Sequence, residues 1–140
     1  MTLRMHLATL LALLAGSALA GPFQDAEDLI RRGDVAAALP ILVQVANTPG
    51  DPSAVAAQFI LGSYYEAGTG TNVDFAAAAR WYQRSAESGH VQAKIALGAM
   101  YASGRGVPQD YAEAAKWLAL AAQARTDGKA DPAATGNRPD

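Results

Sequence analysis

From residue 51 to residue 125 the apolar positions recur at three- and four-residue intervals, in two pairs of runs broken by glycine-rich turns. That spacing predicts amphipathic helices joined as hairpins. The pattern also copies itself. Sliding the chain by 36 residues superposes Ala57 on Ala93, Leu61-Gly62 on Leu97-Gly98, Tyr65 on Tyr101, Gly68 and Gly70 on Gly104 and Gly106, and Asp74 on Asp110. The register continues without a gap through Ala76, Ala78, Ala79, Trp81 and Ala86 onto Ala112, Ala114, Ala115, Trp117 and Ala122. A degenerate copy lies upstream at an offset of 40, where Asp34 to Ala38 and Val45-Ala46 align with Asp74 to Ala78 and Ser85-Ala86.

Such a repeat predicts an all-α solenoid of stacked antiparallel hairpins, about two and a half units long. Residues 21–50 form the degenerate hairpin, 51–90 and 91–125 the two full units, and 126–140 a tail of small, charged and proline residues expected to be disordered. Gly62 and Gly98 fall inside a helix, where glycine costs about 1 kcal/mol against alanine, so they are expected at close approaches between helices. Gly68, Gly70, Gly104 and Gly106 belong to turns, and Gly33 and Gly89 to helix stops.

Asp74 and Asp110 are expected to cap second helices, Asp110 with Glu113 in a capping box, and Asp51-Pro52 to open a first helix as cap and first residue. Tyr65, Tyr101, Trp81 and Trp117 should fill the space between hairpins. Phe23, Leu29, Ile30, Leu39, Leu42 and Val45 should continue that core. Pro40 is expected to bend or loosen its helix.

The first twenty residues follow a different rule. Arg4 and His6 precede an apolar run from Leu7 to Ala15, and small residues close it at Ala18-Leu19-Ala20. This is the layout of a cleavable signal peptide, with cleavage expected after Ala20. The run is too short for a permanent membrane anchor, and no other segment is apolar enough to span a bilayer. The protein is therefore expected to be exported, with the bacterial periplasm as its compartment.

The leader takes Arg4 from the 11 basic residues and leaves all 13 acidic ones, so the remainder is mildly acidic. It has no basic stripe for nucleic acid. There is no cysteine, which excludes disulfides and attachment through a lipidated N-terminal Cys.

The string Leu-Gly-x-x-Tyr-x-x-Gly-x-Gly, followed by Asp, paired alanines, Trp and a later Ala, resembles the Sel1-like repeat, a relative of the tetratricopeptide repeat. The resemblance covers residues 57–125. Gln24 to Ala46 is similar to the truncated first unit of small exported members, although it lacks the Leu-Gly-x-x-Tyr helix. Thr71-Asn72-Val73 departs from the pattern that Val107-Pro108 keeps. The resemblance implies a non-catalytic adaptor that holds another protein in a signalling or envelope-assembly complex. By analogy with tetratricopeptide arrays it places Phe59, Ser63, Glu66, Ile95, Ala99 and Ala102 in a concave groove that takes a peptide or helix of an envelope protein.

Other chemistry finds little support. Gly68-Thr69-Gly70 and Gly104-Arg105-Gly106 lack the Gly-Lys-Ser/Thr continuation of a phosphate loop. His90 is the one histidine after the leader, too few for a metal site, and reads as a solvated turn residue. The β-lactamase type of hydrolase discussed for Sel1-like proteins would need a Ser-x-x-Lys or Gly-x-Ser-x-Gly string, and neither is present. Glu66 is replaced by Ala102 in the next copy, so no carboxylate pair is repeated. No catalytic residue and no cofactor are expected. Tyr64, Tyr82 and Met100 flank the motif and read as core cover before partner anchors. A short array leaves apolar ends, so self-association through the last helix, around Trp117 and Leu120, is the rival to client binding: a self-assembling envelope scaffold.

Overall fold

A computed structural model describes residues 20–128. The expected leader, up to residue 19, and all but three residues of the expected tail lie outside them. Six helices follow one another in the described residues: α1 (Pro22–Arg31), α2 (Val35–Ala46), α3 (Ala54–Ala67), α4 (Phe75–Glu87), α5 (Val91–Ser103) and α6 (Tyr111–Thr126). Each packs chiefly on the next, so the chain stacks three hairpins, and the expected half unit is a hairpin with a short first helix. No described helix is long and apolar enough to cross a membrane.

Local chemistry sets the helix ends. Pro22 opens α1, where its missing N–H costs no bond. The Asp34 carboxylate accepts from the Ala37 N–H at 3.2 Å, and that of Asp74 from Ala77 at 2.9 Å. Asp110 accepts from both Ala112 and Glu113, at 2.9 and 3.0 Å. The capping box is only half formed: the Asp110 N–H donates to the Tyr101 carbonyl, and Glu113 turns to the Lys116 ammonium at 2.9 Å. The Asp74 N–H likewise donates to Tyr65, so each motif tyrosine ties its turn to the following cap. Asp51-Pro52 does not open α3. The Asp51 carboxylate turns to the Ser53 N–H at 2.7 Å, and the helix starts at Ala54. α2 runs on through Pro40, which is exposed.

The first helices of the two full hairpins end alike. Gly68 and Gly104 take left-handed φ of 70° and 69° as C-caps. The second glycine of each turn reaches back to the preceding hairpin. Gly70 rests on Val35 and Ala36, at the start of α2, and Gly106 on Phe75 and Ala76, at the start of α4. A Cβ at either position would collide with that backbone.

The core lies in two parts, one at each hairpin junction. Leu42, Val45 and Leu61 centre the first, with Tyr65 and Trp81 packed against it. Tyr82, Leu97, Met100 and Trp117 centre the second, with Phe59 and Tyr101 packed against it. The sequence-derived reading of Tyr82 and Met100 as core cover agrees with exposures of 3% and 1%. Gly62 lets the Tyr82 ring come within 2.5 Å of where a Cβ would stand. Gly98 does the same for Leu118, with the Ala114 carbonyl beside it.

Candidate protein-binding face

The first helices, α1, α3 and α5, form one side of the stack and carry the candidate surface. On α3 the positions 56, 60, 63 and 67 share one side, and on α5 their repeat equivalents are 92, 96, 99 and 103. Ala67, Gln92, Ala99 and Ser103 are exposed there, and Ile60, Ser63 and Ala96 are half-buried. Between α1 and α3 the side opens into a groove of about 320 Å³ lined by Ile30, Ile60, Glu27 and Arg31. Two branched aliphatic side chains, one from each helix, thus share the groove with an acid and a base of α1. Gln24 donates to Glu27 at 2.9 Å, and Arg31 pairs with Asp28 at 3.0 Å.

The six residues expected to bind a partner do not share one surface. Ala99 is exposed and Ser63 half-buried on the side just described, the Ser63 hydroxyl donating to the Ile60 carbonyl at 2.9 Å. Phe59 turns toward the third hairpin, stacking on His90 at 4.5 Å and meeting the Tyr82 ring at 5.7 Å. Glu66 accepts a 2.8 Å bond from the Tyr82 hydroxyl and faces the Arg105 guanidinium at 3.6 Å. Ile95 and Ala102 are half-buried on α5, and the Ala102 carbonyl accepts from Gln109.

Burial first, then the hydrogen bond and negative charge of Glu66, push the Tyr82 phenol well above its ordinary pKa. Burial alone raises that of Tyr64. Arg105 also lies 5.4 Å over the Phe75 ring, so one side chain joins the third hairpin to both helices of the second.

Three polar devices escaped the sequence reading. His90 is the N-cap of α5, its Nδ1 accepting from the Ala93 N–H at 3.2 Å, and this corrects its reading as a solvated turn residue. Histidine is an uncommon cap, so its identity gave no signal. The Ala46 carbonyl, at the end of α2, accepts from Gln58 at 3.0 Å and from Arg84 at 3.1 Å, while Arg84 also donates to Asn47. The Ser85 hydroxyl donates to the Val55 carbonyl between α4 and α3. The Ile30–Ile60 groove was missed as well, although the exchange of Ile60 for Ala96 between copies marks a position outside the shared core. Among the described residues, no three His, Cys, Asp or Glu side chains gather as a metal site would require.

The profile of the Sel1 repeat matches residues 55–90 and 91–125. Among solved structures, the fold is similar to a Sel1 repeat protein from Oxalobacter formigenes, at 29% identity and a TM-score of 0.62 over 76% of this chain and 44% of that one. It is also similar to a protective antigen present in uropathogenic Escherichia coli strains that displays an SLR fold, at 37% identity and a TM-score of 0.56 over 61% of this chain and 18% of that one. The chain thus spans less than half the length of either structure. No curated protein matches it. Two matched repeats over half the chain, in a stack of helical hairpins, make the protein a member of the Sel1 repeat family, whose members are typically protein–protein interaction modules.

Proposed function

We propose that the protein is an exported, non-catalytic adaptor that holds a peptide or helix of an envelope protein against its first helices. The observation that carries this reading is the groove between α1 and α3, which Ile30 and Ile60 line together with Glu27 and Arg31. An amphipathic helix or extended peptide would bury an apolar side chain against the two isoleucines and orient its polar groups toward the two charges. Ser63 and Ala99 continue the contact along α3 and α5. The likeness to a protective antigen suits an exported protein, as does the leader layout of residues 1–20.

Crosslinking of the tagged protein in the envelope of its own cells, followed by mass spectrometry, tests the proposal. One dominant foreign protein is expected, with capture falling at least tenfold in Ile60→Asp while the helical circular dichroism stays unchanged. Undiminished capture by a folded Ile60→Asp, combined with Arg31→Glu, would move binding off this face.

A further inference from the structure

We propose that α6 carries a second interaction surface, on which the flank formed by Tyr111, Ala115, Leu118 and Ala122 packs antiparallel against the same flank of a second copy. The repeat register identifies this flank. Its four residues are the equivalents of Phe75, Ala79, Tyr82 and Ala86 on α4. There the third hairpin covers the surface, leaving Ala79, Tyr82 and Ala86 at 3%, 3% and 1% exposure, and Gly106 rests on Phe75. On α6 the same surface is open: Tyr111 is 70% exposed and Leu118 43%, and both alanines are exposed. The flank thus continues an interface the protein already builds once.

Its chemistry differs from the covered copy in a way that suits a partner of the same kind. Tyr82 needs Glu66 for its hydroxyl, whereas the equivalent pair on the third hairpin is Leu118 and Ala102. The Tyr111 hydroxyl is already engaged by Gln109 at 2.9 Å. Tyr111 is the one polar side chain among the four.

The order of side chains fits self-pairing. With two α6 helices antiparallel about a two-fold axis level with residues 116–117, Tyr111 meets the partner's Ala122, and Ala115 meets the partner's Leu118. Every contact then sets a large side chain against a small one, which lets helices approach closely without voids. Stacking head to tail is the poorer match. The outer side of α1 presents Asp25, Asp28 and Arg32 around Leu29, and its turn, Arg32-Gly33-Asp34, has no second glycine to seat on Tyr111. A two-fold pairing also closes on itself, whereas head-to-tail contacts propagate as filaments. The contact is limited to one 16-residue helix from each copy, a small patch beside the ~1,200 Å² and more of stable interfaces, so the pairing is proposed to be reversible with concentration.

The test is sedimentation equilibrium on protein purified from the envelope of cells expressing the whole chain, over roughly 5–500 µM, the range a weak pairing calls for. The expected result is a mass that rises from one chain toward two. Ala115→Glu, at an exposed position that leaves the fold intact, should raise the midpoint concentration at least tenfold, and Gln123→Glu, on the solvent side of the helix, should not. Because the chain has no cysteine, Ala115→Cys mixed with Leu118→Cys should form intermolecular disulfides several times faster than either variant alone. A single-chain mass throughout, association indifferent to Ala115→Glu, or no advantage for the mixture would each overturn the pairing. So would a foreign protein that binds this flank while the chain alone stays monomeric.

Discussion

The α-carbon of Gly106 packs so closely on the carbonyl of Phe75 that a methyl group could not stand between them. Gly106 has φ of 74°, and Gly33, with φ of 85°, has nothing within 4 Å of where its Cβ would be. The two positions therefore separate conformational strain from docking. Gly33→Ala should cost about 1 kcal/mol, the backbone term alone, and Gly106→Ala about 2–4 kcal/mol, because the second and third hairpins must also part. Urea unfolding of both variants measures the difference, and equal losses would reduce Gly106 to a turn residue.

Tyr82→Phe removes the hydroxyl that donates to Glu66, and about 0.5–1.5 kcal/mol of stability should go with it at neutral pH. The sign at high pH follows from the raised pKa. The folded phenol holds its proton more tightly than the unfolded one, so its contribution is complete below the ordinary value of 10.0 and is lost as the pH climbs above it toward the folded value. The advantage of the natural protein over Tyr82→Phe should therefore shrink above pH 10. Tyr64, present in both, cancels. Paired melts at pH 8 and pH 11 check this.

Asp110 accepts two backbone bonds and Asp34 one longer bond. Asp110→Ala is expected to lose about 1–2 kcal/mol and Asp34→Ala less than 1 kcal/mol, by thermal or urea unfolding.

The motif tryptophans are equivalent in sequence and unequal in burial. Trp117 is 9% exposed within the second core, and Trp81 is half-buried with Arg84 lying 4.8 Å over its ring. Trp117→Ala should cost about 3–5 kcal/mol, a large part of the whole stability of a small domain, and Trp81→Ala distinctly less. Denaturation curves of the two variants would show the gap.

Much of the fold was readable because the repeat displays each constraint twice. Gly68 and Gly104, Asp74 and Asp110, and Gly62 and Gly98 stand where a helix stop, a cap and a close approach are needed, and a position that recurs in register declares itself. Features that occur once were hidden. His90 as a cap, the Gln58–Arg84 clamp on Ala46 and the Glu66–Tyr82–Arg105 cluster depend on which side chains meet across hairpins, and spacing along one chain does not encode that. The placement of the six candidate binding residues was half legible for the same reason. The register located the first helices, and Ser63 and Ala99 on their open side, yet Phe59 and Glu66 lie a fraction of a turn away, where the third hairpin engages them.

The two glycines of each turn divide the labour, the first ending its own helix and the second seating on the hairpin before it. A unit of this kind carries a plug at one end and leaves a socket at the other. A duplicate of residues 91–126 joined after Thr126 would find its seat on Tyr111 already formed, whereas no copy could be added ahead of α1 without supplying a glycine to the Arg32-Gly33-Asp34 turn. Growth of the array has a direction, and gene duplication could lengthen it from one side with the glycine seat already in place, although Ile95, Ala102 and Leu118 would replace the Phe59, Glu66 and Tyr82 contacts of the existing junction.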